Sequence, residues 1–148
     1  MQVSFEVPHE PIPQPRQRSR IVRSAKAYIQ NYTPAKHPVA SYKRACVEAA
    51  RDAMKRMSPL VGPLSVELVF VMPRPSNKIW KTKPMPAYYR DAKPDIDNLE
   101  KSTFDALNGV LWQDDSQVCV VNKRKVVAAG DESPRVKVAV RTIEEVVV

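Results

Sequence analysis

The run PDIDNLEKSTFDALNGVLWQDDSQV, residues 94–118, sets Asp95 and Asp97 two positions apart and Lys101 four residues after Asp97. The pair Asp114–Asp115 follows further on. Two chemistries fit the first two acids. Asp97 can cap a helix, with Glu100 three residues on closing a capping box, a device worth about 1 kcal/mol. Alternatively, an extended segment 94–97 turns Asp95 and Asp97 the same way, because side chains repeat every two residues in extended chain. The QDDS turn can then return Asp114 or Asp115 to the same spot. Three carboxylates held close repel one another unless a cation neutralises them. Hard oxygen ligands with no His or Cys nearby suit Mg²⁺, with Mn²⁺ as the other candidate. Capping explains Asp97 alone; a divalent cation explains the whole set.

The surrounding charge has the opposite sign. The chain has 148 residues and a formal net charge of +8. Residues 1–93 carry 17 Lys/Arg against 6 Asp/Glu, whereas residues 94–148 carry 7 against 10. A basic body around a small acidic island predicts a polyanionic partner. With carboxylates and Lys101 at its centre, the combination points to metal-assisted cleavage of a phosphodiester. Other uses of paired aspartates fit poorly. Enzymes of nucleotide sugars place such a pair at the end of an apolar strand, and here it follows a charged, proline-broken loop. Aspartyl phosphatases want Gly/Thr after the pair near the N-terminus, which is absent. Two isolated cysteines, Cys46 and Cys119, with only His9 and His37, argue against structural zinc; both thiols are expected in the core. No apolar run approaches the ~18 residues of a membrane span and the start does not read as a signal peptide, so a cytoplasmic protein is expected.

The elements that must position these groups follow from periodicity. VSFEV (3–7) alternates as a half-buried strand. Residues 8–23 form a basic, proline-rich arm, expected to be extended and exposed, and a short strand or hairpin is expected within 21–32. Residues 39–57 form the clearest helix, with Val39, Tyr42, Cys46, Ala49, Ala50, Ala53, Met54 and Met57 on its apolar stripe. LSVELVFVM (64–72) is a strong strand with Leu64, Val66, Leu68, Phe70 and Met72 on one face. Residues 73–93 form a basic loop with Trp80, Tyr88 and Tyr89, longer than a compact domain usually tolerates without a function. A second helix runs from Asp97 to Asn108, burying Leu99, Thr103, Ala106 and Leu107, with Gly109 at the C′ position. VLW (110–112), 117–127 and 135–141 read as strands. The expected fold is α+β: a single domain over 1–148, with a mixed β-sheet and two main helices packed on it.

The run 94–118 also resembles the signature of RusA-type Holliday-junction resolvases, and IPQPRQRSR and YTPAKH resemble that family's arm and its YTP element. The likeness touches residues from about 3 to 141. It implies a RusA-like homodimer and a Mg²⁺-dependent endodeoxyribonuclease, encoded by a bacterium or a phage, that resolves four-way DNA junctions by paired symmetric nicks. It also implies that Asp95 and Asp97 are metal-binding aspartates, that Asp115 rather than Asp114 is the third catalytic carboxylate, that Lys101 is needed for cleavage and that Asn98 is structural. Arg16, Arg18, Arg20 and Arg23 in the arm, with Lys78, Lys81, Lys83 and Lys93 in the long loop, are the candidate phosphate contacts. Trp80, Tyr88 and Tyr89 either stack on unpaired bases or pin the loop. Two other readings stay open: a non-catalytic basic DNA-binding module, and a metal-dependent flap or fork nuclease with the same carboxylate chemistry.

Overall fold

A computed structural model describes residues 1–148 apart from 17, 33–36 and 81–84. Strand β4, Leu64–Met72, is the centre of a five-stranded sheet. Its predicted face (Leu64, Val66, Leu68, Phe70 and Met72) is buried throughout. Fully burying each such side chain stabilises the fold by roughly 1.5–3 kcal/mol. On one side β4 pairs antiparallel with β7, Arg135–Thr142, which pairs in turn with β1, Gln2–Val7. On the other it pairs parallel with β6, Val118–Val127, whose outer edge takes the two-residue strand β5, Tyr88–Tyr89. A parallel pair needs a crossover. Here it is the long loop followed by the second helix, so the acidic run is suspended between two adjacent strands.

Helix α1, Val39–Met54, buries Val39, Tyr42, Cys46, Ala50 and Met54. It stops before the predicted Met57 because Lys55 and Arg56 adopt left-handed backbone (φ 48° and 68°), leaving Met57 exposed. Helix α2, Ile96–Leu107, buries all four predicted residues and adds Ser102 and Phe104. Both helices contribute to a single core with β1, β4 and β7. They are joined by a buried hydrogen bond of 2.7 Å between Tyr42 Oη and Thr103 Oγ1. Thr103 already donates its proton to Leu99 O at 2.7 Å, so the Tyr42 hydroxyl is the donor.

Three local expectations change. VLW is not a strand. Gly109, at φ 83°, turns the chain at the C′ position where a side chain would be strained, and its N–H donates to Trp112 O at 2.6 Å. Leu111 and Trp112 thereby enter the core, with Phe104 edge-on to Trp112 at 5.2 Å. Cys46 is buried, but Cys119 is exposed, at the register shift that begins the β4–β6 pairing. The basic arm is less free than predicted. Pro11 is buried, and a hairpin of β2, Arg18–Val22, and β3, Tyr28–Tyr32, follows it. Lys81, Lys83, the side chain of Arg18 and residues 33 and 34 of the YTP element lie outside the described residues. Among the described residues no helix is long and apolar enough to cross a membrane.

Candidate active site

The buried stripe of α2 dictates what its other side can present. With Leu99, Thr103, Ala106 and Leu107 facing the core, Asp97, Lys101 and Asp105 fall on one exposed row, four residues apart. Asp95 occupies the N-cap position in extended backbone (φ −69°, ψ 139°), and Asp97 lies in the first helical turn. This corrects both premises about the pair. The segment 94–97 is not extended throughout, so strand-like alternation does not align Asp95 with Asp97. Nor does Asp97 cap the helix; no side chain makes a capping bond there. Glu100, the expected partner in a capping box, instead receives Lys123 Nζ from β6 at 3.0 Å.

Most charges around Asp97 are engaged elsewhere. Asp95 lies 3.3 Å from Lys93 Nζ, an exposed pair of little intrinsic strength. Asp105 lies 3.7 Å from Lys43 Nζ of α1. Among the described residues, Asp97 and Lys101 take part in no ion pair.

The approach to Asp95 is held by two cations that sequence reasoning missed. Arg90 donates Nε and Nη2 to Lys93 O at 2.8 and 2.6 Å. Lys125 Nζ, from β6, donates to Ala92 O and Pro94 O, each at 2.6 Å. Three successive carbonyls before Asp95 are thus clamped by charge-assisted bonds, the stronger class of hydrogen bond. The arm crosses the far side of the same helix. Gln14 N donates to Asn98 O at 2.9 Å, and Ser102 Oγ to Ile12 O at 2.6 Å. No periodic signal marks such long-range contacts to backbone carbonyls.

Two clefts open where arm and helix meet. One, of 690 Å³, is lined by Arg16, Asn31, Asn98, Lys101 and Asp105 among others. The second, of 470 Å³, contains Arg90, Lys93 and Asp95. Gln14 and Asn98 line both and form the septum between them.

The QDDS segment separates the roles of its two acids. Asp115–Gln117 is a 3-10 turn capped by Asp114, whose carboxylate accepts from Ser116 Oγ at 2.7 Å and closes a capping box with Gln117. Gln117 Nε2 also donates to Leu60 O and Gly62 O at 3.0 and 3.1 Å, fixing the turn to the body. Asp114 is therefore occupied in structure. Asp115 has no cationic partner among the described residues. Partial burial pushes its carboxyl above the usual carboxylate range, and the negative charges of Asp114, Asp105 and Glu100 push it further. Asp115 thus lies within electrostatic reach of Glu100 and Asp105 on α2. Asp95 and Asp97 are not among the groups that raise it.

The raised pKa has a thermodynamic consequence. The folded chain holds the Asp115 proton more tightly than the unfolded chain does, so its carboxylate costs stability above the folded-state pKa, and that cost disappears as pH falls below the ordinary value of about 3.9. Asp115→Asn should raise Tm at pH 7 without added metal by roughly 1–2 °C. The gain should vanish near pH 3.5. Calorimetry of both proteins across that range checks it, and an unchanged or lower Tm at pH 7 would contradict the assigned repulsion.

Among the described residues, no group of three His, Cys, Asp or Glu converges as a closed cation site. The donor chemistry still fits a hard divalent ion. Mg²⁺ typically takes one or two carboxylates and completes its shell with water and substrate phosphate. Asp97 and Asp115, without cationic partners, are donors of that kind.

The basic and aromatic residues divide similarly. Arg16, Arg20, Arg23, Lys78 and Lys93 are exposed. Arg74, not singled out by sequence, lies over the rings of Trp80 and Tyr88, at 5.6 and 5.5 Å from their centroids. It also donates to Lys78 O, Pro86 O and Ala128 O. Two of the three loop aromatics therefore help pin the loop, and Tyr89 is left 72% exposed.

Residues 8–141, from the arm that crosses α2 to the end of the sheet's β7 strand, match the family described as Endodeoxyribonuclease RusA. The uncharacterized protein YqaN of Bacillus subtilis (strain 168) is 32% identical over 146 residues, covering 95% of this chain and 96% of its own length. The matched span takes in the acids of α2, the 3-10 turn and both clamping cations, and the chain is a member of the RusA family of endodeoxyribonucleases.

Proposed function

We propose that this chain is a divalent-metal-dependent, structure-selective endodeoxyribonuclease that resolves four-way DNA junctions by paired symmetric nicks. The observation that carries this reading is the match of residues 8–141 to the RusA family, and the division of partners among the acids of α2 and the 3-10 turn supports it. Glu100, Asp105 and Asp114 are all satisfied by the protein, whereas Asp97 and Lys101 take part in no ion pair among the described residues and Asp115 meets no cation there. Groups left unpaired in this way are available to substrate.

Asp95, Asp97 and Asp115 would hold Mg²⁺ or Mn²⁺. When bound, a divalent cation supplies neutralising charge beside the scissile phosphate and acidifies water for in-line attack. The Arg90–Lys125 clamp fixes the backbone entering Asp95. Protonated Lys101 donates to the phosphate oxygens as charge builds in the transition state, or to the departing 3′ oxygen. Neither histidine serves as base: His9 bonds Glu10 O and Ser41 Oγ, and His37 Nδ1 accepts from Val39 N at the start of α1. Arg16, Arg18, Arg20, Arg23, Lys78, Lys81, Lys83 and Lys93 supply phosphate contacts. A homodimer offers two equivalent sites to two symmetric strands. The substrate is branched DNA in the cytoplasm of a bacterium, whether the protein is encoded by the cell or by a phage.

The test uses end-labelled four-way junction, fork and linear duplex of shared sequence, each with Mg²⁺ or with chelator. Symmetric paired nicks confined to the junction and dependent on metal are expected. Equal cutting of the fork would make the chain a flap or fork nuclease. Binding without any cutting would make it a DNA-binding module.

A further inference from the structure

The hairpin of β2 and β3 is uncovered. Among the described residues its strands pair with each other and with no strand of the main sheet. A lone two-stranded hairpin is marginal in water, and apolar side chains on it have no core to enter. Yet Ile21 and Ile29, directly opposite across the pair, are 64% and 70% exposed.

Their direction is set by the pleat. Opposed residues share a face, and faces alternate along each strand. Ile21–Ile29 therefore lies on the same face as Ser19–Asn31, which is tied by Ser19 Oγ donating to Asn31 Oδ1 at 2.6 Å. Asn31 lines the 690 Å³ cleft with Lys101 and Asn98. The isoleucine pair thus continues the wall of that cleft outward. Arg20 stands on the opposite face, held over the Tyr32 ring at 5.2 Å and bonded to Gln30 Oε1 at 2.8 Å. Residues 18–32 contain Arg18, Arg20, Arg23 and Lys26, and no acid.

We propose that this hairpin is a DNA-gripping flap: a strand leaving the Lys101 cleft passes beneath Ile21 and Ile29, which pack on sugars and base edges. Apolar residues in such a position act as wedges or clamps, while flanking cations fix the backbone. Charge selects this occupant over the same hairpin of a second copy. Two hairpins of four cations and no acid would repel one another, whereas a polyanion is attracted. The inference rests on the reading of Lys101 as a residue facing the cleaved strand.

The test is the double substitution Ile21→Ser with Ile29→Ser in the full chain. Junction affinity, measured in chelator by fluorescence anisotropy, should fall about tenfold through lost apolar burial. The slope of log affinity against log salt should not change, because no charge is removed. Solution mass by light scattering should stay put and Tm should change little, since both side chains lie mostly in solvent. Unchanged affinity in a folded double variant overturns the flap. So does a lower solution mass, which would show that the isoleucines cover a second copy. Failure of the wild type to bind or nick junctions sinks the functional reading instead.

Discussion

Asp97→Asn is expected to lower the single-turnover rate of junction cleavage by about 10³-fold or more, the scale of several kcal/mol of lost charge stabilisation. It should leave the fold and DNA binding in place. Asp97 is exposed in the first turn of α2 and takes part in no ion pair among the described residues, so amide for carboxylate breaks no such contact. The only structural term is its favourable position at the positive end of the helix dipole, worth roughly 0.3–1 kcal/mol. Binding in chelator should be equal or tighter, because a negative charge leaves the surface proposed to face DNA phosphates. Asp114→Asn is the informative contrast. That acid caps the 3-10 turn, so its loss should appear in Tm before it appears in the chemical step. If Asp97→Asn cuts junction at near the wild-type rate, Asp97 holds nothing that cleavage needs.

Lys101→Met should lower the same rate by about 10²–10³-fold, as expected when a donor to developing charge is removed. The methionine keeps much of the apolar stem and removes only the ammonium. No ion pair is broken, since Lys101 has none among the described residues although Asp97 and Asp105 flank it one turn away on either side. Junction affinity should weaken little, with the salt slope falling by about 0.9 for one lost phosphate contact. Rate and affinity measured together separate two roles. A rate unchanged at saturating protein, with affinity reduced, would reduce Lys101 to one phosphate contact among several. A combined Asp97→Asn and Lys101→Met protein should be hardly slower than the worse single variant, because groups acting on one transition state are not additive.

The two clefts explain why these effects should stay separate from stability. Asp95 opens into one and Lys101 into the other, divided by Gln14 and Asn98. Stability resides behind them in the Tyr42–Thr103 bond and the Leu99–Leu107 stripe. Changes to the clamp differ in kind. Lys125 bridges β6 to the carbonyls before Asp95, so its loss would move the backbone that enters Asp95 as well as weaken the fold.

Much of the architecture was legible because it rests on short-range rules. Alternation in LSVELVFVM marked β4 over its observed length, and the i, i+3, i+4 stripe of α2 identified four residues that are all buried. Gly109 was readable because a helix ending in left-handed backbone favours glycine. Where local signals coincide, they mislead. VLW reads as a short apolar strand, but the turn at Gly109 sends Leu111 and Trp112 inward. Cys119 reads as a small apolar residue, yet it falls in the first half of β6, where Val120 and Val121 are exposed as well.

At the candidate site the division is sharper. Sequence alone grouped Asp95, Asp97, Lys101 and the Asp114–Asp115 pair as candidates, since their types and intervals point to a cation and a phosphate. It could not say which of the adjacent acids is spare. Tertiary structure decided that, by engaging Asp114 with Ser116 and Gln117 while partial burial and neighbouring carboxylates raised Asp115. It also decided that Asp97 stands in the helix rather than at its cap, that Arg90 and Lys125 grip the chain before Asp95, and that the arm lies across α2. These depend on which distant groups meet: Ser102 reaches Ile12 across 90 residues. Periodicity encodes the face a side chain presents, whereas a bond to a particular carbonyl exists only once packing has brought the two together.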